Sequence, residues 1–117
     1  MINIMKNIEF SQVLNLKELI SYKKGQVISM TLAQIPAVNI TLFSLDEGEG
    51  ISTHTTSGDA MVQILDGEAE ITIGDQTLTV KEGETVIMPS DIPHGLEARK
   101  SFKMLLTVIK KPKDKEL

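Results

Sequence analysis

The chain has 117 residues, 41% hydrophobic and 24% charged, the length and make-up of one globular domain with a core of its own. It has no Cys, which excludes disulfides, thiolate nucleophiles and cysteine zinc sites, and with 3% aromatics and no Trp it can stack few bases or sugars. The net charge is −4, and residues 1–109 hold 8 Lys and Arg against 14 Asp and Glu, a balance of −6 that argues against binding a phosphate backbone.

No apolar run approaches the ~18 residues of a membrane span. The opening "MINIMKNIEF" lacks the basic-then-apolar layout of a signal peptide, so the expected compartment is the cytoplasm, with neither nucleic acid nor membrane as partner. Residues 10–24, "FSQVLNLKELISYKK", place Val13, Leu14, Leu16, Leu19 and Ile20 so that a short helix and a strand-like arm fit equally well. From there the chain reads as short β-rich runs. Residues 26–33 alternate, with Ile28, Met30 and Leu32 on one face and Ser29 and Thr31 on the other. Residues 37–45 are rich in β-formers, and "DEGEG" at 46–50 is a turn cluster. A strand over 60–65 is expected to close at an Asp66–Gly67 turn. Residues 68–73 and 76–80 alternate on either side of Gly74–Asp75, a hairpin signal, with Ala69, Ile71, Ile73, Leu78 and Val80 inward. "KEG" turns at 81–83, a strand over 84–89 stops at Pro89, residues 90–95 are read as a loop, and residues 102–109 form the last strand. Lysines at 110–117 are interrupted by Asp114 and Glu116, which suits a solvated charged tail. Six or more short strands with almost no helix point to an all-β sandwich or barrel.

The order of turns resembles the small single-domain members of the cupin superfamily. Their first motif runs G-x5-H-x-H, three or four residues, E, six residues, G. Here Gly48 stands five residues before His54, Thr56 holds the second His slot, Ala60 holds the Glu slot, and Gly67 closes the motif. The second motif runs G-x5-P-x-G-x2-H-x3-N. Gly83, Pro89 and His94 match it, while Asp91 and Ala98 hold the inner Gly and final Asn slots. The likeness spans about residues 38–109, with 15 residues (68–82) between the motifs.

The resemblance implies a double-stranded β-helix, or jelly-roll, barrel over residues 38–109. Residues 1–37 would then be an N-terminal arm and first strands that contribute to a homodimer, and 110–117 the tail. It also implies that His54 and His94, the only histidines, face each other across a cavity. The expected pocket is His54, Thr56, Ala60, Val62, Ile64, Met88, His94 and Met104. Family metals would be Mn, Fe, Ni or Zn on His54 and His94, but Thr56 and Ala60 supply no strong ligand, and Asp59, next to the Glu slot, should point to the other face. Met30, Met61, Met88 and Met104 suit core packing better than a ligand-lining stripe, and Glu68 and Glu70 suit a solvated strand face better than acid–base work. No dinucleotide-binding glycine pattern is present, and Ser57 near His54 has no evident orienting partner. Three functions follow: a small-molecule binding barrel, a metal-dependent dioxygenase or isomerase with a reduced ligand set, and an assembly unit.

Overall fold

The computed structural model describes residues 3–112. Eight strands follow an irregular N-terminal segment: β1 Val27–Gln34, β2 Val38–Leu45, β3 Gly50–His54, β4 Gly58–Ile73, β5 Gln76–Lys81, β6 Thr85–Met88, β7 His94–Glu97 and β8 Phe102–Lys110. All pairings are antiparallel. β4 belongs to two sheets. Its first half pairs with β8 and β6, and β8 continues through β2 to β1; its second half pairs with β5 and β7, and β7 carries β3. The sheet therefore curls into a half-barrel of the jelly-roll type, as the resemblance implies.

The passage of β4 between sheets corrects one sequence expectation. Asp66–Gly67 does not reverse the chain; it lies inside a single 16-residue strand. The β4–β8 register shifts between Ile64 and Asp66, so a bulge bends the strand there. Gly67 makes the bend possible. Its φ is +73°, and a Cβ would lie 2.1 Å from the Ser101 carbonyl oxygen. The Gly74–Asp75 hairpin forms as expected, with Ile73 opposite Gln76. β8 runs to Lys110, one residue into the expected tail, and Lys111 pairs with Asp91 at 2.9 Å; residues 113–117 lie outside the described residues.

Alternation along β4 sets the interior. Ala60, Val62, Ile64, Ala69 and Ile71 are buried between the two sheets with Leu45, Val80, Met88, Leu96, Ala98, Phe102 and Met104. A second cluster lies on the outer face of the first sheet. Ile28, Met30, Leu32, Ile40, Leu42, Leu65 and Leu105 meet Met5, Ile8, Leu16, Leu19 and Ile20 from the N-terminal segment. The alternation in β1 is therefore real, but its apolar side faces outward, under the arm. Residues 10–24 form neither helix nor strand beyond one 3-10 turn at Leu16–Glu18, and of their apolar side chains Leu16, Leu19 and Ile20 pack on the sheet while Phe10 and Val13 stay exposed. Asn7 and Ser11, at φ 59° and 60°, bend the arm.

Polar bonds fasten the arm. The Lys6 amide donates to the Leu32 carbonyl at 2.8 Å, and the Asn7 side chain to the Thr31 carbonyl at 2.8 Å, capping part of the free edge of β1. Ser44, buried, donates to the Ser21 carbonyl at 2.9 Å. Lys103 donates to the Lys17 carbonyl at 2.6 Å and stands 4.9 Å from the centre of the Tyr22 ring. The Tyr22 hydroxyl donates to Asp66 at 2.6 Å, at the bend of β4. Burial, then the Asp66 carboxylate, pushes the phenol well above its ordinary value.

Candidate functional site

Both histidines stand at strand ends, His94 in a segment expected to be a loop. His54 ends β3 and His94 begins β7, and the two are direct cross-strand partners. A bulge sets this register. Ile51 pairs with Leu96, so regular pairing would set Thr53 opposite His94; one extra residue on β3 brings His54 there instead. Gly95 faces the bulge, where a Cβ would stand 3.0 Å from Thr53 Oγ1 and 3.3 Å from the Ile51 carbonyl oxygen. On its other side His94 pairs with Ile73 of β4.

The imidazoles meet edge to face, with ring centres 4.5 Å apart and planes at 64°. They are in contact, rather than separated by an open cavity. Their environments differ: His94 is 2% exposed, whereas His54 is exposed at the rim. Each Nδ1 lies beside a backbone carbonyl two residues earlier, His54 at 2.8 Å from Ser52 and His94 at 3.1 Å from Ile92. A carbonyl only accepts, so each Nδ1 carries the hydrogen and, in the neutral ring, each Nε2 presents a lone pair. The bulge in β3 left one trace in residue types, the glycine after His94 that faces it, and the two carbonyls left none.

The other expected pocket residues fall elsewhere. Thr56 sits in the β3–β4 turn with its hydroxyl donating to the Gly58 carbonyl at 2.9 Å. Ala60, Val62, Ile64, Met88 and Met104 belong to the inter-sheet core at 0–2% exposure. Ala60 stands directly between Met88 of β6 and Val108 of β8. Side chains so enclosed border no space that water enters, so thioether and aliphatic groups fill the region of the expected cavity. A hollow of about 470 Å³ instead lies against β3, β4 and β7 of the second sheet, and one of about 230 Å³ against the loop residues 47–49 and 98–99 beside it. The larger is lined by residues that include Gly50, Thr53, Glu70, Thr72, Gly95 and Glu97; none of the eight expected pocket residues lines either hollow.

The donor set falls short of a metal centre of the family type. Thr56 is committed to a backbone carbonyl, Ala60 offers no donor, and Asp59 accepts from the Ser90 amide at 2.9 Å. No group of three or more His, Cys, Asp or Glu side chains able to hold a metal exists among the described residues. Two imidazoles are fewer than the three protein ligands of catalytic zinc sites.

Curled antiparallel topology together with a glycine, proline and histidine framework of this spacing defines a cupin barrel. The cupin-domain family model matches residues 41–110, more than half of the chain, and the protein belongs to that family. A conserved protein of unknown function from Streptococcus pyogenes is 46% identical, with 95% of this chain and 97% of that one covered and a TM-score of 0.93. A cupin superfamily protein from Desulfitobacterium hafniense is 36% identical over 92% of this chain and 98% of its own, with a TM-score of 0.87. Salicylate 1,2-dioxygenase from Pseudoaminobacter salicylatoxidans shares the fold alone, at 17% identity, 71% of this chain, 26% of that one and a TM-score of 0.66. No curated protein matches the chain.

Proposed function

We propose that this cupin binds a small molecule at the rim of its half-barrel, with His54 and His94 supplying the polar recognition. The observation that carries the reading is the pair itself: two imidazoles in contact, oriented by backbone carbonyls, with both Nε2 atoms free for a ligand. His94 is set in the protein and His54 faces solvent, so a ligand reaches the pair from outside without opening the inter-sheet core. Ala60, Val62, Ile64, Met88 and Met104 then support the strands beneath the site. The metal-dependent enzyme is the second reading. The same free Nε2 atoms favour it, and it requires that a ligand or solvent complete the coordination.

Thermal-shift screening of a small-molecule panel, and separately of Mn, Fe, Ni and Zn, tests both on untagged wild type and His54→Ala. The expected result is stabilisation of wild type by an organic compound and its loss in the variant. Stabilisation that persists in His54→Ala, or none at all, overturns the binding reading. Stoichiometric metal that survives dialysis against a chelator establishes the second reading instead. A homodimer and a cytoplasmic location belong to the same proposal. The dimer rests on Ile4, Phe10 and Val13, which the arm leaves exposed at 64%, 52% and fully, and light scattering of the purified chain tests it.

A further inference from the structure

The geometry points to a ligand that presents hydrogen-bond donors to the His54–His94 pair, of the diol or catechol class, in preference to a carboxylate. This rests on the proposed binding function and specifies its chemistry. Both Nδ1 hydrogens are already given to backbone carbonyls, at 2.8 and 3.1 Å. Each neutral imidazole has one donor and one acceptor, so the pair has no donor left to offer, and what it offers is two lone pairs on rings 4.5 Å apart.

Among the described residues neither Nε2 has a hydrogen-bond partner, although His94 is 98% buried. No buried side-chain nitrogen or oxygen among those residues is both sealed from solvent and without a partner. The Nε2 of His94 therefore keeps an opening to solvent, beside the exposed ring of His54. An acceptor lone pair held at such an opening is completed by a donor arriving from outside. A carboxylate is acceptor-only and would set lone pair against lone pair, on a protein whose body is already acidic. A metal ion also accepts lone pairs, but Thr56, Ala60 and Asp59 leave it without further protein ligands. A ligand with two donors matches the two acceptors in number as well as in kind.

The test uses long-range ¹H–¹⁵N NMR of the histidine rings in chelator-treated full-length protein, in mildly alkaline buffer, with His54→Gln to assign the resonances. Catechol, its dimethyl ether and benzoate are the probes. Both rings are expected to show a protonated Nδ1 and a bare Nε2. Catechol should move the Nε2 resonances, and the dimethyl ether and benzoate should each bind at least about tenfold more weakly, the worth of one to two neutral hydrogen bonds. A hydrogen on Nε2 of either ring in the free protein overturns the inference. So does benzoate binding as tightly as catechol, though that leaves the small-molecule reading standing. Catechol binding that needs added Zn²⁺ assigns the pair to a metal and overturns it as well. Failure of every probe here and every compound in the wider panel removes both readings.

Discussion

Replacing Ala60 by Leu decides whether the barrel interior is a core or a ligand cavity, because the two cases differ in sign. Ala60 is 1% exposed and lies between Met88, also 1% exposed, and Val108 on the neighbouring strands. Leucine adds three carbons. In a close-packed interior those atoms force off-rotamer side chains and strand shifts, at a cost of about 1–3 kcal/mol. In an open apolar cavity they would fill space, and at ~0.8 kcal/mol for each buried methylene-sized group they would stabilise by up to roughly 2 kcal/mol. For a chain of this size a change of 1 kcal/mol moves the melting temperature by about 3–5 °C. Ala60→Leu should therefore melt roughly 3–15 °C below wild type by calorimetry or circular dichroism. Met88→Leu, which nearly conserves volume, should cost less than about 1.5 kcal/mol and serves as the control. An unchanged or raised melting temperature for Ala60→Leu would refute the packed interior and restore the cavity as the place where a ligand sits.

Three further outcomes are expected. Gly67→Ala must hold a non-glycine residue at φ +73° and place a Cβ 2.1 Å from the Ser101 carbonyl oxygen; the left-handed backbone alone costs about 1–2 kcal/mol, and the contact adds strand separation, so urea denaturation should show a far larger loss than an exposed alanine substitution gives. Tyr22 is held protonated by burial and by Asp66. Its folded-state value lies above the unfolded 10.0, so its contribution is fully present below pH 10.0 and fades as pH rises toward the folded value; Tyr22→Phe should lose that contribution at neutral pH and show a flatter alkaline limb in stability against pH. Glu97 stands directly opposite Glu70 on neighbouring strands, and among the described residues Arg99 pairs with Glu70 and not with Glu97, so Glu97→Thr should stabilise by a few tenths to about 1 kcal/mol in low salt, with the gain shrinking as salt is raised.

How far the structure could be read from residues differs from strand to strand. β1, β2, β5, β6 and β8 announce themselves by alternation and β-forming residues between Gly, Asp and Pro turns. β4 reads as two strands because Asp-Gly is a turn signal taken locally; in the fold, pairing with β8 carries the chain through it as a bulge. β3 and β7 go unread altogether. "GISTH" and "HGLE" are short, partly polar and glycine-containing; β3 is a strand only because β7, 40 residues away at the histidines, supplies hydrogen bonds, and β7 because it lies between β3 and β4. Those two strands carry the whole candidate site. The Asp91 mismatch in the second motif has a structural answer too. Its φ is +64°, the backbone region in which glycine is freest and Asp among the better-tolerated side chains.

Composition and alternation by themselves determined an all-β chain with an acidic body and no cysteine chemistry, and the resemblance of its motifs to the cupins put two histidines on slots that family uses for function. Those properties are local: a residue's type and its distance to the next turn suffice to express them. Tertiary structure decided that the imidazoles touch rather than face each other across a void, that the expected pocket is packed, and that the arm's apolar residues cover the outside of a sheet. Each of these depends on which remote strands pair and in what register, and a one-residue bulge in β3 is enough to turn His54 toward His94.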